Sequence, residues 1–193
     1  MRTVLALAAS VFLSSAAFGE DAPKAAPKPT LTATQEIFVV YEIMCVKPGG
    51  KLEKAKPAIA KLEASNTVKA VPDAEAAKLF SKGSKVWATK TSAATKLFVT
   101  YDPIGICGVH VERADDKAMK KEFVTYVGNV QKGMKGSLIK KADNKTQGDS
   151  LFSYYIVAKP GAKLGAGFGL STSAAAAKKS PQHLLTFNIA KPE

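Results

Sequence analysis

The chain has 193 residues, with 28 Lys and Arg against 16 Asp and Glu, and a formal charge of +12. Two cysteines and two histidines are too few to supply a four-ligand zinc site while a disulfide is also formed. Past Arg2 the basic charge is lysine except for Arg113, and without the planar donor of bidentate base and phosphate contacts, sequence-specific nucleic-acid recognition is not expected.

Residues 1–19 read as a secretory signal peptide. Arg2 is the positive start, Val4 to Leu13 an apolar run too short to span a bilayer, and Ser14 to Gly19 a small-residue end. Cleavage is expected before Glu20, and no cysteine follows to carry a lipid. Residues 20–33, rich in Pro, Ala and Lys, read as a flexible leader. Residues 34–193 suit a single globular domain with its own core, and no later apolar run is long enough to cross a membrane.

The apolar segment 34–46 is compatible with a buried helix or a strand. Thr32 with Gln35 offers a capping box and Gly49-Gly50 a stop, which favours a helix. Residues 51–65 read as an amphipathic helix that Pro57 should break or start. Residues 73–83 form a short helix capped by Asp73 and stopped by Gly83. Residues 85–90 and 96–101 are β-rich and suggest a hairpin, and 106–113 a third strand. Near 115–134 lies the clearest amphipathic helix, capped by Asp115 or Asp116. Its apolar stripe is Met119, Phe123, Tyr126, Val127, Val130 and Met134. Strand signals follow at 137–142, 151–158, 165–173 and 183–190. Helices early and strands late indicate an α+β fold with a mainly antiparallel sheet.

Cys107 and His110 lie three apart, in the stretch GICGVH. On a regular strand, residues two apart share a face and residues three apart do not. Cys107, Val109 and Val111 then face the core. Gly108, His110 and Glu112 face solvent, so a Cys–His dyad is disfavoured. The simplest partner for Cys107 is Cys45, in a disulfide that the chain-entropy model values at about 4 kcal/mol. His183 reads as a hydrogen-bonded structural residue on the rim of an apolar face. GAKLGAGFG, 161–169, lacks the G-K-[ST] end and the following helix of a phosphate loop, and reads as glycine packing against a neighbouring strand. Of Trp87, Phe98 and Tyr101, at least two are expected in the core. No catalytic, cofactor-binding or metal-binding residue is assigned, and no cofactor is expected.

The signal peptide, the F-x6-C pair Phe38 and Cys45, the Trp87 strand and Cys107-x-Val109 together resemble a class of small exported proteobacterial proteins with two cysteines and no established function. The resemblance covers roughly residues 35–130 and implies a periplasmic α+β domain. It brings no catalytic residues, and the glycine-rich C-terminal part lies outside it.

These readings give an exported protein, periplasmic or secreted, that is not an enzyme and binds a partner or an envelope component. Two other classes stay open. One is a lysine-rich binder of anionic polymer such as lipopolysaccharide or nucleic acid, which lysines gathered on one face would favour. The other is a hydrolase or redox enzyme, which a deep polar pocket holding His110 or His183 would favour.

Overall fold

The computed structural model describes residues 30–134, 138–147, 150–173 and 181–191. The expected signal peptide and the leader up to residue 29 lie outside them. The leader does not run to residue 33. Helix α1 (Ala33–Tyr41) already begins there, closed by the Thr32–Gln35 capping box. A π-helical turn, Glu42–Val46, continues it, with the amide of Lys47 reaching the carbonyl of Glu42. The turn leaves the Met44 carbonyl without an amide partner, and the Tyr101 hydroxyl donates to it instead. Gly49 and Gly50, at φ +66° and +71°, end the segment in the left-handed region that side-chain-bearing residues avoid.

Helix α2 (Leu52–Ala64) follows, then strand β1 (Lys69–Ala70) and helix α3 (Asp73–Leu79). Strands β2 (Lys85–Lys90), β3 (Lys96–Tyr101) and β4 (Cys107–Val111) form a meander. Helix α4 (Asp116–Gly133) then carries the chain to the far edge of the sheet. There β5 (Leu138–Gln147), β6 (Ser150–Ala158), β7 (Gly165–Ser173) and β8 (His183–Ala190) meander back until β8 pairs with β4. Among the described residues the sheet has the order β1-β2-β3-β4-β8-β7-β6-β5, and every pairing is antiparallel. The fold is α+β. No described helix is long and apolar enough to cross a membrane.

Three local expectations need correction. Pro57 neither breaks nor starts α2, which runs through it. Only the Glu53 carbonyl loses its amide partner, and both residues sit on the exposed side, where water can replace that bond. Asp73 is not the cap of α3. Pro72 occupies that position, and the Asp73 carboxylate pairs with Lys85 at 2.7 Å. Strand β1 was not anticipated, because two residues carry no readable alternation.

One face of the sheet carries the helices. Cys107, Val109 and Val111 point into it and are fully buried, as alternation requires. Opposite them in register are Phe187, Leu185 and His183, and beyond those Phe168, Leu170 and Thr172. The α4 stripe packs onto this layer: Met119, Phe123 and Val127 are buried, with Tyr126, Val130 and Met134 partly so. Asp115 caps that helix, accepting from the Ala118 amide at 2.7 Å. Cys45 and Cys107 are disulfide-bonded with a Cα–Cα separation of 5.4 Å, both without solvent exposure. The bond ties the π-helical turn to the central strand. Tyr101 is buried, and Trp87 is half-buried with its indole N–H donating to Glu63 Oε1 at 2.9 Å.

Candidate functional site

The opposite face of the sheet carries none of α1, α2 or α4. Register assigns it the alternate residues: Lys69 on β1; Val86, Ala88 and Lys90 on β2; Lys96, Phe98 and Thr100 on β3; Gly108 and His110 on β4. On the second meander it receives Leu184, Thr186 and Asn188 from β8, Gly165, Gly167, Gly169 and Ser171 from β7, and Phe152, Tyr154 and Ile156 from β6. Three features stand on this face.

The first is a pavement of aromatic rings. Tyr154 pairs with Gly169 in register, and its ring runs over β7 until its hydroxyl donates to Asn188 Oδ1 on β8 at 2.8 Å. That path exists only because β7 carries glycine. A Cβ on Gly167 would collide with the Tyr154 hydroxyl and the Asn188 side chain, and one on Gly169 with the Thr186 hydroxyl. Phe152 lies beside Tyr154 with centroids 6.1 Å apart and planes 13° apart, and it is 38% exposed. Such coverage of strand glycines by a cross-strand aromatic restores packing that glycine alone lacks. It also leaves a flat, two-ring apolar surface. Burial raises the Tyr154 phenol above its ordinary range while the bond to Asn188 lowers it, so the hydroxyl stays protonated and donates.

The second is a recess of about 130 Å³ where Phe80, just after α3, crosses the sheet. Ser84, Thr100, Asp102 and His110 contribute to its walls. His110 stands on the face away from Cys107, as expected, but it does not face open solvent. Its ring lies 4.7 Å from that of Phe80, and burial pushes its pKa down to about 4. The expectation of an exposed histidine missed Phe80, because nothing local announces that a residue 30 positions earlier folds over it. Thr100 Oγ1 and His110 Nε2 are 3.1 Å apart, the spacing of a nucleophile and its base. The threonine is only 6% exposed, however, and Asp102, the nearby carboxylate, accepts from the Ile104 amide at 3.0 Å. The recess therefore holds a neutral, structurally engaged histidine. Phe98 packs on the same ring of Phe80, with centroids 5.6 Å apart.

The third is a basic groove of about 570 Å³ along the β1 edge, lined by Lys69, Lys90 and Lys96 among others. Lys96 lies 3.6 Å from Glu112. Lys69 and Lys90 have no acidic partner among the described residues.

The remaining sequence candidates belong to the core side. His183 is 1% exposed, with Nε2 3.0 Å from the Ala114 carbonyl, so it is hydrogen-bonded as expected but lies inside the core rather than on its rim. Of the glycines of 161–169, Gly167 and Gly169 lie beneath Tyr154, Gly165 packs against Ile156 and Ala158, and Gly161 meets nothing within 4 Å. With both cysteines in the disulfide there is no free thiol, and no group of three His, Cys, Asp or Glu among the described residues could hold a metal. Sequence reasoning missed Phe152, Tyr154, Thr186 and Asn188. The signal was present as two matching alternations, Phe152-x-Tyr154 and Gly167-x-Gly169. Only the strand register shows that Tyr154 stands opposite Gly169, from where it reaches diagonally over Gly167. No protein-family model matches the chain, and no curated protein or solved structure matches it.

Proposed function

We propose that this chain is an exported, non-enzymatic binding protein that takes an envelope component on the helix-free face of its sheet. The observation that carries this reading is the pavement of Phe152 and Tyr154 beside the uncharged donors of Thr186 and Asn188. Apolar rings held flat by glycines on the next strand, with polar groups at their border, match the make-up of ligand surfaces, in which apolar area supplies affinity and a few polar groups supply orientation. The buried disulfide supports export, since such bonds form and persist in oxidising compartments.

A second reading, a binder of anionic polymer, is supported by the lysine-lined groove on the β1 edge. The hydrolase or redox reading has less support: the disulfide is shielded from solvent, Thr100 is only 6% exposed, and among the described residues no carboxylate is hydrogen-bonded to His110, Asp102 of the same recess accepting from the Ile104 amide instead.

Titration of isotope-labelled protein with solubilised envelope extract, followed by amide chemical shifts, tests the primary reading. Shifts should concentrate on β6, β7 and β8 and vanish in Phe152→Ala, while Val124→Ser on the exposed side of α4 should leave them intact. Shifts confined to α1, α2 and α4 would place the binding surface on the helices and defeat it.

A further inference from the structure

We propose that the end of the sheet where β3 turns into β4 docks on a bilayer of anionic phospholipid, with aliphatic side chains entering its surface and lysines meeting its phosphates. The site lies apart from the helix-free face and does not depend on what that face binds.

Register gathers the docking end. Antiparallel pairing sets the starts of β2, β4 and β7 beside the ends of β3, β6 and β8. The connections here are 80–84, 102–106 and 159–164. The turn at 47–51 joins them: a Cβ on Gly50 would lie 3.3 Å from the Phe187 ring and 3.7 Å from the Gly105 carbonyl. A Cβ on Gly83 would lie 3.3 Å from Pro103, and Phe80, next after Leu79, shares its recess with Asp102 and Ile106. Leu79, Ile104, Leu164 and Ile189 stand at this end, each between 47% and 79% exposed. Leu164 and Ile189 border one apolar cavity of about 330 Å³. The described connections at the opposite end, 91–95 and 112–115, hold no large apolar residue. Exposed apolar area gathered at one end marks contact with a partner or a membrane.

Charge selects the membrane. Lys51, Lys82, Lys159, Lys163 and Lys191 are exposed around these tips and have no acidic partner among the described residues. Asp102 is the one carboxylate in these connections, and it accepts from the Ile104 amide at 3.0 Å. On the neighbouring α3, Asp73 is paired with Lys85, and the charge of Glu75 is matched by Lys78. The lysines alternate with the apolar residues: Lys159 and Lys163 share a turn with Leu164, Lys82 follows Leu79 by three residues, and Lys191 follows Ile189 by two. A protein interface excludes lysine from its apolar centre. A single-stranded nucleic acid wants aromatic faces to stack on, and these tips are aliphatic. A bilayer takes both kinds of residue at once, the aliphatic ones at the headgroup–acyl boundary and the lysines at the phosphates above it.

Isotope-labelled full-length protein, titrated with lipid nanodiscs of mixed phosphatidylglycerol and phosphatidylcholine that carry a paramagnetic lipid, tests this residue by residue. Amides of 80–84, 102–106 and 161–164 should lose most of their signal before those of Ser92 and Glu112 at the opposite end. The half-point of broadening at Gly83 and Gly105 measures affinity. Ile104→Ser with Leu164→Ser, both at exposed tips whose change should spare the fold, should weaken it about tenfold. Lys159→Gln with Lys163→Gln should weaken it about fivefold per lysine at low salt and little at high salt. Discs of phosphatidylcholine alone should leave these amides sharp. The same broadening with those discs would overturn the proposal by removing the anionic requirement. Broadening led by residues 1–19 that spares Gly105 would overturn it by placing lipid contact on the N-terminal segment. Broadening led by Phe152 and Tyr154, or by α1 and α4, would overturn it in favour of another face. Signals unchanged by either disc would overturn it outright, and the envelope-extract titration of β6 to β8 would still decide the helix-free face on its own.

Discussion

The two faces of one sheet are built from the same strands yet follow different rules. The helix-covered face is closed by large apolar side chains in one continuous cluster, which the Cys45–Cys107 bond ties together. The open face reaches close packing with almost no side-chain volume on β7: glycines there are covered by rings reaching across from β6. On the first face burial is the means of stability. On the second, aromatic area stays at the surface, and the Thr186 hydroxyl has no partner among the described residues. Side-chain packing thus serves a core in one place and a flat accessible floor in the other.

The largest contrast should come from the disulfide. Cys45→Ser or Cys107→Ser should lower stability by about 2–5 kcal/mol, read from urea midpoints. Each change also leaves a hydroxyl where a sulfur had packed without solvent exposure. In the native protein neither sulfur should react with an alkylating agent in the absence of reductant. A labelled Cys107 would place that position outside the closed core.

Glycines sharpen the same contrast with opposite signs. Gly167→Ala on the open face drives a Cβ into the Tyr154 hydroxyl and Asn188. It should cost about 1–3 kcal/mol, the range for overpacking. Gly128→Ala on α4 meets nothing within 4 Å and lies in a helix interior. It should stabilise by up to about 1 kcal/mol. A neutral Gly167→Ala would mean that Tyr154 does not lie on β7 as described.

His110 gives the open face a pH dependence that the core face does not share to the same degree. Its folded pKa of about 4 lies below the ordinary 6.5. Between those values the unfolded chain binds a proton that the native protein does not, so the contribution is full above the unfolded value and is lost as pH falls towards 4. By pH 5 the loss should be about 2 kcal/mol. His183 is also pushed down by burial, so the wild-type profile sums both groups. The difference between wild type and His110→Gln isolates the first. Glu36 and Asp116, held low by hydrogen bonds from Ser92 and Lys120, act only at more acid pH. Parallel stability profiles for wild type and His110→Gln between pH 7 and 5 would show that His110 is solvated.

Legibility from sequence followed locality. The Thr32–Gln35 box, the α4 stripe, the alternation of Cys107, Val109 and Val111, and the pairing of the only two cysteines were all readable, since each rests on spacing or on elimination. Phe80 over His110 and Tyr154 over Gly167 were not, because both depend on which strands become neighbours. The order β4-β8-β7-β6 is set by the α4 crossover, and no local pattern encodes it. Asp73 and Pro57 misled for another reason: each has a strong positional preference that tertiary pairing or solvent exposure overrode.

The smallest stability effect is expected where the binding effect is largest. Phe152 is 38% exposed and touches one other ring, Tyr154. Phe168, on the covered face, has no exposure and packs against Tyr126 and Phe187 at centroid distances of 6.2 and 5.3 Å. Truncating a fully buried phenylalanine opens a cavity and costs about 3–5 kcal/mol. Truncating Phe152 opens none, because water reaches the vacated space, and some surface apolar area is removed with the ring. The loss in Phe152→Ala should therefore stay below about 1 kcal/mol, measured by the urea midpoint at pH 7. A stability loss approaching that of a buried ring would mean that Phe152 is a structural lid over β7 and not a surface held for a ligand. A small loss joined to weakened ligand binding would separate the two faces as this comparison requires.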